Sequence, residues 1–190
     1  MGSNRLTDTY FAWTISPPIT AAFLGSAYWA SFMLEILGSR RKLWARARIA
    51  IPAVLLFTTL TLVATLIHLD KFHFGSQFDT ITQAGTWVWL LVYVTVPVAM
   101  TVMLIHQLRV PGEDPPRRIP ISRGMRTILY LQALIMVGLG IALFIAPVPT
   151  GELFWPWHLS ALTGRAIGAW LIGIGTAAGH MANENDWWRV

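Results

Sequence analysis

Cysteine is absent from the 190 residues, which excludes disulfides, thiol catalysis and thiolate metal ligands and leaves the redox compartment open. Charge is scarce as well. Asp, Glu, Lys and Arg make up 12% of the chain, about half of what soluble domains carry, so few of these residues are built to face water. Signatures of catalysis are missing too: the sequence holds no Walker loop, no H-E-x-x-H, no G-x-S-x-G and no paired carboxylates inside an apolar run. No internal repeat is visible, and only Pro97 interrupts an apolar run at mid-depth, so the broken-helix signature of secondary transporters is weak.

What is present is apolar. Hydrophobic residues make 55% of the chain and the mean hydropathy is +0.55, which points to lipid as the main solvent. A hydrocarbon core of about 30 Å is crossed by about 20 helical residues, and five runs reach that length, near 17–37, 49–69, 87–107, 127–146 and 162–182. Backbone groups in hydrocarbon must bond internally, so runs of this kind are helices. The expected fold is therefore all-α, an integral membrane bundle of five transmembrane helices forming a single domain over residues 1–190. The first run is expected to be an anchor and not a cleavable signal, since only Arg5 precedes it and its ~21 residues exceed a signal core of roughly 7–15.

Ten of the fourteen Lys and Arg residues fall in two stretches: Arg40, Arg41, Lys42, Arg46 and Arg48, then Arg109, Arg117, Arg118, Arg123 and Arg126. Five spans place both on one side. Short cytoplasmic loops carry this excess, so the N-terminus is expected outside and the C-terminus in the cytoplasm, in a prokaryotic plasma (inner) membrane. The same loops explain the net charge of +5 without nucleic acid, for which no recognition module is visible. Tryptophan supports the layout: Trp13, Trp87, Trp89, Trp155 and Trp157 fall at the outer boundary and Trp44, Trp187 and Trp188 at the inner one, the headgroup levels that indole prefers. The segment 108–126, rich in Pro and charge, reads as an ordered turn or extended loop.

The most suggestive polar pattern is in the second span. Thr58, Thr61, Thr65 and His68 are spaced by three, four and three residues and share one helical face. Threonines so placed either bond their own i−4 carbonyls or line a small polar site or path opening outward. Near its outer end lie His68, Asp70, His73, His158 and Arg165, the candidate cluster for a ligand, metal, tetrapyrrole or redox site. Arg165, one turn inside the fifth span, either snorkels outward or pairs with Asp70, Glu152 or a bound anion. The H-x-D-x-x-H spacing is no diagnostic metal signature, because helical residues 68 and 70 project about 200° apart. Tetrapyrrole ligation is disfavoured because all five histidines fall near the boundaries; His158 and His180, for example, are about 33 Å apart if helical. The identity of any cofactor stays open.

Glu35, the one acid within a span, is expected to pair with Arg40, Arg41 or Lys42. Gln132, Tyr93, Thr95 and Thr101 are expected to bond between helices. The fifth span carries Gly164, Gly168, Gly175 and Gly179 as two G-x-x-x-G pairs, which let helix backbones approach closely. They serve either packing inside the chain or a homo-oligomer or larger membrane complex. The functional expectation is a small polytopic, non-catalytic or accessory component of a membrane complex. The alternatives are the outward-facing site and a small transporter or channel on the threonine stripe.

Overall fold

A computed structural model describes residues 4–41 and 43–190; Lys42 lies outside the described residues. Among the described residues seven α-helices follow one another: α1 (Asn4–Tyr10), α2 (Pro18–Ser39), α3 (Ala50–Ile67), α4 (Thr80–Arg109), α5 (Arg123–Ile145), α6 (Pro147–Phe154) and α7 (Ala161–Glu184). Among the described residues there is no strand, only an isolated antiparallel bridge between Trp13 and Phe72. Five of the helices, α2, α3, α4, α5 and α7, are long and apolar enough to cross a membrane. The chain is an all-helical membrane bundle, as the apolar runs required.

The observed ends differ from the expected ones where polar residues continue a helix beyond its apolar run. Helix α4 begins at Thr80, seven residues before the apolar run, and its 30 residues extend about 45 Å. Its first two turns pack on the chain's first segment, with Thr82 donating to the Thr9 carbonyl and Thr86 to that of Ala12. Pro147, a stop for α5, also opens α6, because a proline at the first helical position forfeits an N–H that has no partner there anyway. Local chemistry fixes other ends. Ser122 and Ser160 accept from the amides of Met125 and Thr163 to start α5 and α7. Asn185, at φ 52°, closes α7 in the left-handed conformation that asparagine tolerates.

Helix α7 is the centre of the bundle. Two thirds of its apolar window is buried, against 11% for α2 and for α4. Its glycines make this possible. A Cβ on Gly168 would stand 2.7 Å from the Gly140 carbonyl oxygen, and one on Gly140 would stand 2.8 Å from that of Gly168, so α5 and α7 cross almost backbone to backbone. Gly164 lies against Pro147 of α6, Gly173 against Ala53 and Phe57 of α3, and Gly175 against Ala133 and Val137 of α5. Gly179 is looser, its nearest contact being the Ala133 side chain at 3.5 Å. The G-x-x-x-G pairs thus meet this chain's own helices.

Helix α2 is held differently. Its buried residues, Thr20 and Leu24, lie in its first two turns. Trp157 donates its indole N–H to Thr20 Oγ1 at 2.8 Å, and Phe23 meets the rings of Trp155 and Trp157. Tyr28 then contacts Phe57, Trp89 and Trp170, and its hydroxyl lies 2.6 Å from that of Tyr93. Beyond Tyr28 no hydrogen bond, ion pair or ring contact joins α2 to another described element, and Trp29, Phe32, Met33, Leu34 and Leu37 are exposed.

Candidate functional site

At the end where α3 and α7 approach Phe72 and Trp155, the five candidate residues divide. His68 and Arg165 meet: Arg165 Nη1 donates to His68 Nε2 at 2.7 Å. Burial, then the neighbouring guanidinium, lowers the His68 pKa, so the ring is held neutral as an acceptor. Asp70 turns away to Lys71 at 2.9 Å, both exposed, and the hydrogen bond from that ammonium lowers its pKa. His158 is exposed.

His73 is buried for a structural reason. Its backbone N–H donates to the Ala12 carbonyl, its Nδ1 lies 2.9 Å from the Phe11 carbonyl oxygen, and its Nε2 lies 3.2 Å from Thr14 Oγ1. Its ring stacks on Phe78 at 4.1 Å. This imidazole ties the segment before α2 to the α3–α4 connection. Among the described residues, no group of three or more His, Asp or Glu side chains is placed to hold a metal ion. The structure therefore brings together two of the five, on a half-buried arginine whose partner is an uncharged ring.

The threonine stripe faces the interior. Thr58, Thr61 and Thr65 are buried, and each hydroxyl donates to a backbone carbonyl of α3: those of Val54, Phe57 and Thr61, each at 2.8 Å. Trp89 Nε1 donates to Thr65 Oγ1 at 3.1 Å. The surrounding space is filled by rings, with Trp89 against Trp13, Phe11 and Tyr93, and Phe57 against Trp170. The stripe's hydroxyls are thus engaged within α3 and by Trp89.

Several other expectations change with the geometry. Glu35 accepts from Ser31 at 3.2 Å and pairs with neither Arg40 nor Arg41; Lys42, the third partner expected, lies outside the described residues. Of the polar groups expected to bond between helices, only Tyr93 does so. Thr95 and Thr101 donate to Leu91 and Pro97 within α4, and Gln132 reaches Met136 within α5. Trp13 is 2% exposed and Trp89 half-buried, and both pack into the aromatic interior.

The densest polar network lies at the opposite end, where sequence reasoning placed no site. Arg48 bonds Glu184 and Asp114, each at 2.5 Å, and Arg189 Nη1 meets Glu184 at 2.6 Å and Asp114 at 3.6 Å. Burial opposes the Arg48 charge, but the two carboxylates outweigh it and raise its pKa. Asp186 is fully buried and accepts the amides of Arg118, Ile119 and Trp188. Burial pushes its pKa up; those three N–H groups overcome that and lower it. Trp188 is overlain by Arg46, 3.7 Å from the ring centre, and approached by Arg118 at 4.9 Å. Residues 185–190 thus bind the loop before α3 to the loop before α5, so both basic stretches share one end of the bundle. The available signal was the Glu184, Asp186 and Arg189 set in the chain's last seven residues.

Beside this network a cleft of about 430 Å³ opens between the start of α3 and the ends of α4 and α7. Its lining includes Ile49, Pro52, Leu104 and Leu108 on the apolar side and Arg117 and His180 on the polar side. No family model, no curated protein and no solved structure matches the chain.

Proposed function

We propose that the protein is a non-catalytic component of a membrane complex that receives a partner helix along the inner half of α2, with its Arg-rich end in the cytoplasm. One observation carries this reading. Thr20, Leu24, Tyr28, Ser31 and Glu35 follow at spacings of four, four, three and four, so they form one face of α2. The first two are buried in this chain's bundle, and the last is exposed. The face that α2 turns to the bundle is therefore covered at one end and uncovered at the other, where it presents a carboxylate whose partner among the described residues is Ser31. An acid one turn inside a span is costly unless it snorkels or finds a donor, and a neighbouring helix supplies one. The glycines of α7 support the same location for the interface, because they are occupied within the chain.

Because the chain has no cysteine, single cysteines probe this directly. Ser31→Cys and Leu34→Cys, carrying a photoactivatable label in native membranes, are expected to give one discrete protein adduct. Leu134→Cys and Ile135→Cys, on exposed α5, are expected to give lipid adducts only. Lipid adducts alone from α2, together with a monomer from the native membrane, would end the proposal.

A second reading rests on Arg165. Its guanidinium has a neutral partner and no carboxylate within ion-pair distance among the described residues, so an outward-facing anion site fits there. Binding of a small carboxylate or phosphate that raises thermal stability in the parent and not in Arg165→Gln would support it.

A further inference from the structure

We propose that the cleft at the Arg-rich end binds one anionic phospholipid, its phosphate on Arg117 and His180 and its acyl chains along Leu104, Leu108, Ile49 and Pro52. This goes beyond the helix-docking reading and uses a different part of the molecule.

The charge distribution selects the occupant. Arg48 and Arg189 are matched by Glu184 and Asp114 in one closed network, so the Glu184 carboxylate in the lining is already engaged. Arg117 and His180 have no hydrogen bond or ion pair among the described residues and are exposed on the cleft's rim. The unmatched charge in this cleft is therefore positive, and the unmatched donors are a guanidinium and an imidazole.

Depth selects between a lipid and a free anion. Leu104 lies five residues, about 7 Å, inside the end of α4 at Arg109, and Pro52 lies within the first turn of α3. The apolar wall thus descends from the headgroup level into hydrocarbon, while Arg117 stands in the loop above it. Inorganic phosphate would use the rim and leave that wall uncovered. A phospholipid uses both, and basic pockets between helices at this level suit anionic headgroups. The volume lies within the range of small-ligand sites.

The test uses full-length protein in mild detergent, with native mass spectrometry and thermal unfolding as readouts. Dioleoyl phosphatidylglycerol, dioleoyl phosphatidylcholine and inorganic phosphate are the probes. One phosphatidylglycerol retained per chain is expected, with a rise in melting temperature that the other two probes do not reproduce. Arg117→Gln/His180→Gln is expected to bind phosphatidylglycerol roughly five- to tenfold more weakly. Arg109→Gln/Arg123→Gln, which removes exposed charge at the same end but outside the cleft, is expected to bind it as the parent does. Equal effects of the two lipids would overturn the proposal, and a full effect of phosphate alone would reassign the rim to a free anion. Equal losses in both double variants would reduce the effect to general surface charge and also overturn it. Should Arg117→Gln/His180→Gln fail to fold, Leu104→Trp, which fills the apolar wall, is expected to abolish retention; unchanged retention there would refute the site.

Discussion

Arg165 on α7 donates from Nη1 to His68 Nε2 at the end of α3, 2.7 Å away. A ring nitrogen can accept from a guanidinium only while it carries no proton, so this link between the central helix and α3 requires neutral His68. The His68 pKa lies below its ordinary value. Its contribution to stability is therefore complete above the unfolded pKa of about 6.5 and is lost as pH falls through the lower folded value. Thermal unfolding in detergent should give a steady midpoint from pH 8 to 7 and a falling one below. His68→Gln, whose amide oxygen accepts without titrating, should flatten that fall. His68→Leu should cost about 1 kcal/mol at pH 7.5. An identical slope in His68→Gln would remove His68 as its source.

The glycines of α5 and α7 should differ sharply in tolerance. Gly168→Ala and Gly140→Ala each drive a methyl group into the facing helix's carbonyl oxygen, and backbone cannot move aside as a side chain does. A loss of about 1–3 kcal/mol is expected for each. Gly138→Ala meets nothing within 4 Å and should be neutral or gain up to about 1 kcal/mol from helix propensity. Gly179→Ala, at an ordinary contact distance, should also be tolerated. Unfolding midpoints of the four variants in one detergent check the order, and equal effects at Gly168 and Gly179 would contradict it.

The spans were legible because hydrocarbon imposes one rule on every residue it touches, and composition alone reports that rule. The ends were less legible. Thr80–Gly85 continue α4 through polar sequence, where apolar run length says nothing, and Pro147 both stops one helix and starts another. The cluster expected around His68 illustrates the limit of residue type. His68 and His73 are five residues apart, yet one faces Arg165 and the other is drawn under Phe11 and Thr14 by a backbone bridge at Trp13 and Phe72. That bridge depends on a contact between segments about sixty residues apart, which no local spacing records. The glycines of α7 were legible as a close-packing surface; which helix they would meet was not.

Asp186 should govern the docking of residues 110–122. Its carboxylate holds the amides of Arg118, Ile119 and Trp188, and Asp186→Ala leaves all three unpaired. Trypsin should then cut after Arg117 and Arg118 faster than in the parent, with α5 and α7 intact, because a segment stripped of its bonds opens locally at lower cost. The Asp186 pKa is depressed, so its contribution is present above the unfolded value of about 3.9 and is lost as pH falls through the folded one. Cleavage by an acid-active protease at pH 5 should therefore match that at pH 7 after correction for enzyme activity, and should rise only below about pH 4. Unchanged trypsin rates in Asp186→Ala would show the loop to be held by its other contacts, the Arg48 and Arg189 pairs with Asp114, the Trp187 amide on the Ile119 carbonyl and the Trp188 ring.

Among the described residues, the hydroxyls of Tyr28 and Tyr93, 2.6 Å apart, form the last polar link between α2 and the rest of the bundle before its uncovered C-terminal half. Tyr93→Phe removes one partner and leaves the other hydroxyl among the rings of Phe57, Trp89 and Trp170, at a cost of about 1 kcal/mol. Tyr28→Phe should cost a similar amount. The double variant should cost less than the sum, because removing both partners leaves no unpaired group, while residues in direct contact depart from additivity. The same substitutions should loosen the region beyond. A spin label on Leu34→Cys, introduced without competition in a cysteine-free chain, should gain mobility in Tyr93→Phe, while one on Leu134→Cys should not. Additive costs with an unchanged label at position 34 would mean that ring packing holds α2 and the hydroxyl pair does not, and the pivot would then move to Phe23 and the Trp155–Trp157 pair.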